Sequence, residues 1–378
     1  MTEGNVVKKV FVIIGMVLLG IILCYFSVAV YFYFARPNDI TGKLSVFNVL
    51  SDDEIGEMYL EASYSVRYGD EDFLGVNVDE SGYVVTFSRN FDEYDGEEIL
   101  LYHNSGDVFD GEIVFQNDAL NLAILKLYDH FDVTSSLSLP YVKTGDLNTS
   151  IFSSGYLAVG NPFSENNINK AKSVKYNTGY VTKTYDEIDV VDFVVPNSIS
   201  FVVDNYKTTS QGAIFDKSGK LVGLSYAYAV NDDNINSADY YAVATKNASV
   251  IVERLKDNTL CDFGIRGLDM DEISIRLKYK LNENQIFYDD GWLTLSDSVL
   301  KKYLSRDGVL LLEDFVMGDS TLLSNHIITS ISYNGYSKNV TTLCDLFNVL
   351  YSLEEGTTFS LNSIDILTDK IVKTTFKV

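Results

Sequence analysis

The sequence predicts a mainly β protein that follows a single membrane-spanning helix and ends in a smaller α+β module. Three observations predict this fold class: an uncharged apolar run near the N-terminus, a close succession of short β-rich segments over 57–247, and a mixture of helix-like and strand-like segments from 248 onward. Apolar residues make up 46% of the 378 positions. Such a composition supports packed cores and excludes global disorder.

The apolar run at Val10–Ala35 contains no charged residue. About 20 apolar residues suffice to cross the hydrocarbon core as a helix. A cleaved signal peptide is the alternative, but its apolar region spans only ~7–15 residues, and this run continues past the candidate cleavage site Ser27–Ala29. Lys8 and Lys9 before the run predict a cytoplasmic N-terminus and an extracytoplasmic remainder. The predicted segments are a cytoplasmic tail at 1–9, a transmembrane helix at 10–35 and a linker at 36–56.

The region after the linker consists of β-rich segments separated by Gly, Asn, Asp and Ser. Many short strands at close spacing indicate a β-barrel or a β-sandwich. The predicted strands are Phe73–Val78, Tyr83–Phe87, Glu98–Tyr102, Gly111–Gln116, Leu122–Leu127, Ile151–Val159, Ile199–Val203, Leu221–Tyr226 and Tyr240–Ala244.

A change of pattern near 256 predicts a domain boundary. The segment before it, Ala248–Leu255, has a helical pattern and would close the β-rich domain. The part that follows mixes both kinds of element, which indicates an α+β module at 257–378. Its predicted helices are Asp297–Leu304 and Thr342–Leu353, and its predicted strands are Gly308–Leu312, His326–Tyr333, Thr358–Asn362 and Lys370–Lys377.

The charge balance limits the classes of partner. The formal net charge is −24 and the sequence pI is about 4.4. An acidic surface of this size repels nucleic acid, whereas cations and basic peptides suit it. The sequence contains no zinc-ligand spacing or phosphate-binding glycine loop, so no cofactor and no metal are expected. Cys261 and Cys344 lie in the extracytoplasmic part, where a disulfide can form, but two free thiols are favoured.

Three segments carry a resemblance to a known family. They are FLGVNVDESGYVVTFSRNF at 73–91, VFQNDALNLAILKL at 114–127 and DNYKTTSQGAIFDKSGKLVGLS at 204–225. With LAVGNPFS at 157–164 and TGYVTK at 178–183, they follow the order of motifs in the HtrA-like family of membrane-anchored, trypsin-fold serine proteases. The resemblance implies a trypsin-like double β-barrel over 57–256.

The resemblance also assigns the catalytic positions. Ser210 is in the nucleophile position, Arg89 in the histidine position and Asn121 in the aspartate position. The reaction needs a base that accepts the serine proton and a carboxylate that stabilises the imidazolium. Arginine has no acceptor lone pair and its pKa exceeds ~12, and asparagine is uncharged. The sequence therefore predicts a catalytically degenerate member of the family.

Two further departures affect the same cleft. Thr208 and Thr209 replace the glycine and asparagine that precede the family's serine, where glycine permits the backbone geometry of the oxyanion hole. Tyr240 puts a large ring where the family has a glycine beside the specificity pocket. The preferred function is therefore a pseudo-protease that binds peptides, misfolded proteins or an envelope partner. An active endopeptidase that uses Ser210 and a purely structural surface protein are the alternatives.

The segment CDFGIRG at 261–267 resembles the opening of the PDZ domain that follows the protease in this family. In PDZ domains that loop offers backbone N–H groups to the terminal carboxylate of a peptide, which adds a strand to the sheet edge. The resemblance assigns this role to Phe263, Gly264 and Ile265. Peptides or unfolded proteins are the expected partners, a packing module without ligand is equally expected, and a homo-oligomer is compatible with the sequence.

Overall fold

The computed structural model describes residues 50–91, 96–129, 138–145, 156–163, 168–177, 198–203, 211–226, 240–271, 273–274 and 302–378. Among these residues, no helix is both long enough and apolar enough to span a membrane. The predicted transmembrane helix at 10–35 lies outside the described residues, as does most of the predicted linker.

The described part of the chain begins with a helix where the sequence predicted the end of a linker. Helix α1 spans Asp52–Ala62 and is started by a capping box, in which Ser51 Oγ accepts from Glu54 N and Glu54 Oε2 accepts from Ser51 N. The Ser-x-x-Glu pattern satisfies two backbone donors that a helix start leaves without partners. The acidic group at 51–54 is therefore a helix start, and α1 buries Ile55 and Tyr59 completely.

The first barrel follows α1 directly. Its strands close in the order β1-β2-β3-β6-β5-β4, and every neighbouring pair is antiparallel. Alternate residues of these strands, including Tyr64, Phe73 and Phe109, form a separate buried cluster, as expected where alternate side chains face a barrel interior. The strands are β1 Ser63–Tyr68, β2 Glu71–Asp79, β3 Tyr83–Thr86, β4 Ile99–His103, β5 Val108–Asn117 and β6 Leu122–Asp129.

The second barrel repeats the arrangement of the first. Its strands close in the order β10-β11-β12-β9-β8-β7. The connecting segment at 138–145 ties the two barrels together, because Val142 N donates to Asn77 O of the first and Gly145 N donates to Leu221 O of the second. The strands are β7 Tyr156–Gly160, β8 Ile168–Asn177, β9 Ser198–Val203, β10 Gly212–Asp216, β11 Leu221–Tyr226 and β12 Tyr240–Ala244.

Helix α2, Ala248–Lys256, follows the second barrel and leads into the C-terminal module. The module is a six-stranded sheet in the order β13-β14-β17-β19-β20, with β18 paired to β17, and a separate β15-β16 hairpin. Helix α3, Leu343–Leu350, starts at Thr342, whose side chain accepts from Asp345 N. The strands are β13 Gly267–Asp269, β14 Val309–Leu311, β15 Phe315–Met317, β16 Ser320–Leu322, β17 His326–Tyr333, β18 Tyr336–Asn339, β19 Thr358–Asp365 and β20 Lys370–Lys377.

One continuous hydrophobic core joins both barrels, α1, α2 and the C-terminal module. Tyr59 of α1 packs edge-on against Phe215 of β10, with ring centroids 5.3 Å apart. Tyr351, which follows α3, packs edge-on against Phe115 of β5 at 5.4 Å. The module is therefore fixed to the first barrel by buried aromatic side chains.

Cys261 and Cys344 are both free, as the sequence favoured. Cys344 is buried in the first turn of α3, where its Sγ accepts from Asn348 Nδ2 at 3.1 Å. Cys261 is half-buried before β13, and burial raises the pKa of its thiol. A raised thiol pKa lowers the thiolate fraction and hence the reactivity.

Candidate functional site

Arg89 lies in a single turn of 3-10 helix, Ser88–Phe91, directly after β3. The turn is held by its neighbours, because Phe87 and Phe91 are both buried. Phe91 packs edge-on against Phe73 of β2 at 5.3 Å. The backbone at position 89 is therefore fixed to the end of the first barrel by the aromatic residues on either side of it.

Asn121 lies in the turn that leads into β6. It is only 4% exposed and has φ +46°, in the left-handed region that asparagine tolerates better than most residues. Its backbone N–H donates to Asp118 O at 3.0 Å. The N–H of the preceding residue, Leu120, donates to Asn117 Oδ1 at 3.0 Å, so both sides of the turn are fixed.

The structure brings the Asn121 turn beside the Arg89 turn. Strand β3 pairs antiparallel with β6 through Thr86 and Ala123, so the end of one strand lies next to the beginning of the other. Ser88 Oγ donates to Asn121 Oδ1 at 3.4 Å. Two of the three predicted catalytic positions are therefore neighbours at one end of the first barrel.

Ser210 lies outside the described residues, as do Thr208 and Thr209, so the convergence of Ser210 with Arg89 and Asn121 stays a prediction. The next residue, Gln211, is described, and its side-chain Oε1 accepts from Leu74 N of β2. Thr86 Oγ1 donates to the carbonyl oxygen of the same leucine at 2.8 Å. Gln211 therefore lies beside the strand pair that ends at the Arg89 turn. The backbone of Tyr240 begins β12.

The described histidines have other partners. His103 Nε2 is 2.9 Å from Glu61 O at the end of α1, and its Nδ1 is 2.7 Å from Ser105 Oγ. His326 is buried in the C-terminal module with Nδ1 2.8 Å from Leu323 O. His130 lies outside the described residues. Among the part of the chain that the structure describes, no group of His, Cys, Asp and Glu side chains could hold a metal ion.

The second predicted site is the loop before β13. Phe263 and Ile265 are buried, whereas Gly264 is exposed with φ +55°. Gly264 N donates to Asp262 Oδ1 at 2.9 Å. One of the three N–H groups assigned to a ligand carboxylate therefore already binds a carboxylate of the chain itself.

The buried side of this loop is formed by Tyr351, which the sequence analysis did not single out. Its ring packs edge-on against Phe263 at 5.4 Å, and Asn117 Nδ2 donates to its hydroxyl at 3.4 Å. Burial raises the pKa of Tyr351 to about 12. No short-range signal could have identified Tyr351, since Asn117 and Phe263 are far from it along the chain.

Comparisons with known proteins agree with this geometry. A family model described as "Trypsin-like peptidase domain" matches residues 74–224. Two curated relatives, both called "Probable periplasmic serine endoprotease DegP-like", come from Rickettsia conorii and Rickettsia prowazekii. The first is 25% identical over 53% of this chain and 37% of its own length, and the second is 26% identical over 47% and 32%. The chain thus spans about a third of the length of these relatives.

Solved structures that are similar to this chain include the serine endoprotease from Yersinia pestis and the HtrA-type protease AlgW with a decapeptide. The first has 15% identity and a TM-score of 0.44, covering 87% of this chain and 97% of its own. The second has 12% identity and a TM-score of 0.44, covering 87% and 98%. The matched family model over residues 74–224, the related sequences and the paired barrels with their ordered motifs support the resemblance of this chain to HtrA-like proteases with a trypsin-like peptidase domain.

Proposed function

We propose that this protein is an extracytoplasmic HtrA-like pseudo-protease that binds peptides or unfolded proteins without efficient proteolysis. The observation that carries the proposal is the environment of Asn121, which aligns with the catalytic aspartate. Its side chain is buried and uncharged, and it accepts a hydrogen bond from Ser88. The neighbouring position, aligned with the catalytic histidine, is Arg89.

This pair of residues removes both parts of the proton relay. A general base must accept the proton of the serine hydroxyl, and an adjacent carboxylate must stabilise the cation that forms. A guanidinium donates hydrogen bonds only. A buried amide carries no charge to stabilise an imidazolium. Without these groups a serine hydroxyl is a weak nucleophile.

The proposed cellular location and domain roles follow from the relatives and the sequence. The curated relatives are named periplasmic proteases, and we extend an extracytoplasmic location to the part of this chain after the apolar run at 10–35. That run would act as a single-pass membrane anchor with 1–9 in the cytoplasm. The C-terminal module, 257–378, would act as a PDZ-like peptide-binding domain, with β13 as the strand that pairs with the ligand.

A fluorophosphonate probe tests the loss of catalysis. The full-length chain should show no labelling above the level of the matched Ser210→Ala variant, because an unactivated serine does not attack the probe at an appreciable rate. An active member of the family, treated in parallel, controls for the reagent. Stoichiometric labelling that disappears in Ser210→Ala would contradict the proposal and establish the alternative, an active serine endopeptidase.

Binding is tested separately with a chemically unfolded reporter protein. The chain should slow the aggregation of the reporter without producing fragments of it. Aggregation at the rate seen without the chain, together with no binding of extended peptides, would contradict the binding half of the proposal. That outcome would favour a purely structural role.

A further inference from the structure

Strand β13 has one edge that the described strands leave open. Within the part of the chain that the structure describes, β13 is terminal in the strand order of its sheet and pairs with β14 alone. Leu312 N donates to Arg266 O, and Met270 N donates to Gly308 O. Because backbone groups alternate in direction along an antiparallel strand, those of Gly267 point away from β14, on the side where an added strand would pair.

A free C-terminus does not fit the beginning of this edge. The N–H of Gly264, which would bind a terminal carboxylate, donates to Asp262 Oδ1 at 2.9 Å. A ligand carboxylate would have to displace the carboxylate of Asp262 and then lie beside its negative charge. Arg266, two residues after Gly264, already has Glu313 Oε2 3.7 Å from its Nε, and this carboxylate opposes its positive charge.

A ligand peptide that continues past Gly264 does fit this edge. Gly264 is exposed, and a Cβ atom placed on it would have no neighbour within 4 Å. The adjacent Phe263 is buried against Tyr351, so the loop has a filled inner side and an open outer side. A ligand strand that pairs with β13 can therefore run on over Gly264 without ending there.

We infer that the β13 edge binds an internal, extended segment of an unfolded polypeptide, with a basic residue near Asp262, and not a free C-terminus. This inference rests on the proposed peptide-binding function and names the ligand class of the same site. Asp262 serves as an internal substitute for a terminal carboxylate. The basic residue follows from the exposed Asp262 and from the net charge of −24.

Three versions of one apolar decapeptide with a single lysine test the inference by calorimetry on the full-length chain. They carry a free C-terminus, an amidated C-terminus, or a Gly-Ser extension that makes the segment internal. The amidated and extended peptides should bind within about twofold of each other and at least as tightly as the free acid, because the N–H of Gly264 is already occupied by Asp262, whose charge opposes a second carboxylate. Tighter binding of the free acid by tenfold or more would overturn the inference.

Variants at position 262 test the role of the carboxylate. Asp262→Ala exposes the N–H of Gly264 and should strengthen binding of the free acid about tenfold relative to the amide, the expected scale of a hydrogen bond to a charged group. Asp262→Asn can keep the turn and should give a smaller gain. Asp271→Asn, at an exposed site two residues after β13, is the matched charge control and should leave the ratio unchanged.

Strand addition is tested with N-methylated peptides. Methyl groups on the alternate amides that face β13 should weaken binding at least about tenfold, whereas methyl groups on the other amides should have little effect. Equal effects of both sets would overturn the inference while leaving peptide binding intact. No binding of any peptide to any variant would overturn the inference and the peptide-binding function together, whereas preference for the free acid would overturn only the inference.

Discussion

At the scale of single residues, the backbone conformation at position 121 and the charge of the side chain there are independent of each other. The φ of +46° at Asn121 requires a residue that tolerates the left-handed region, and both Asn and Asp do so. The backbone therefore does not explain why the chain has an amide at the position that the proposed alignment gives to a carboxylate. In the same alignment, Arg89 in the neighbouring turn takes the place of a base.

Restoring both side chains should not restore strong peptidase activity. In the variant Arg89→His with Asn121→Asp, the base and its carboxylate return, and the backbone at 121 accepts either residue. The preceding Thr208 and Thr209 would still disfavour the backbone geometry of an oxyanion hole, and Tyr240 would still reduce the specificity pocket. Casein cleavage should stay at least about 100-fold below that of an active member of the family, since one lost oxyanion donor alone costs ~10²–10³ in kcat.

Efficient cleavage by the double variant would contradict this expectation. It would show that the cleft is intact and that only the base and its partner are missing. If cleavage by the double variant stays weak, a third variant that adds Thr208→Gly separates a defective oxyanion hole from a reduced specificity pocket. Only a defect of the oxyanion hole would respond to this change.

At the scale of elements, regular patterns were predictable and long-range contacts were not. The predicted bounds of β17 and β20 are those observed, because alternating side chains give a clear signal of period two. Strand β1, Ser63–Tyr68, was not predicted. It pairs with β2 across the tight turn at Gly69 and with the more distant β4 to close the first barrel, and the pairing with β4 leaves no local signal.

Helix α1 was missed for another reason. Its first turn is acidic and lies in a segment with proline, glycine and several aspartates, which favours a linker interpretation. The capping box of Ser51 and Glu54 was visible in the sequence, but the apolar residues that follow bury themselves against the second barrel. Leu50 N donates to Lys217 O at 3.0 Å, and Lys217 forms an ion pair with Asp52 at 2.6 Å.

Removing the cap should therefore destabilise the protein and not only the helix. Ser51→Ala deletes the oxygen that accepts from Glu54 N, and such a change costs about 1 kcal/mol. Ser51→Asp keeps an acceptor and should lose little of this stability. Urea unfolding, followed by tyrosine fluorescence of the barrels, measures the difference. If both variants unfold at the wild-type midpoint, α1 is not coupled to the barrels.

At the scale of the whole molecule, the C-terminal module is attached to the first barrel and to α2 by specific contacts. Asn247 Nδ2 donates to Asn348 Oδ1 at 2.7 Å, and Phe115 of β5 packs against Tyr351. Asn117, whose side chain donates to Tyr351, also accepts from the backbone of the Asn121 turn. The two predicted sites are thus linked by a short series of contacts that the sequence alone did not reveal.

The strength of this attachment can be measured with a pair of matched variants on one strand. Phe115 and Phe109 both lie on β5 and are 8% and 7% exposed. Phe109 belongs to the buried cluster within the first barrel, whereas Phe115 packs against Tyr351. Truncating either ring to alanine should cost about 3–5 kcal/mol, as for buried phenylalanines in general, so the two variants should have similar global stability.

The hydrogen exchange of the backbone amides should nevertheless differ between Phe115→Ala and Phe109→Ala. In Phe115→Ala, the amides of α3 should exchange faster than global unfolding explains, because the module loses its aromatic contact and opens as a separate unit. In Phe109→Ala, the same amides should exchange only at the rate set by global unfolding. Equal exchange in the two variants would show that the module and the barrels unfold as one unit irrespective of the Phe115 contact. In that case other contacts, such as the hydrogen bonds from Asn247 to Asn348 and from Asn117 to Tyr351, would hold the module in place.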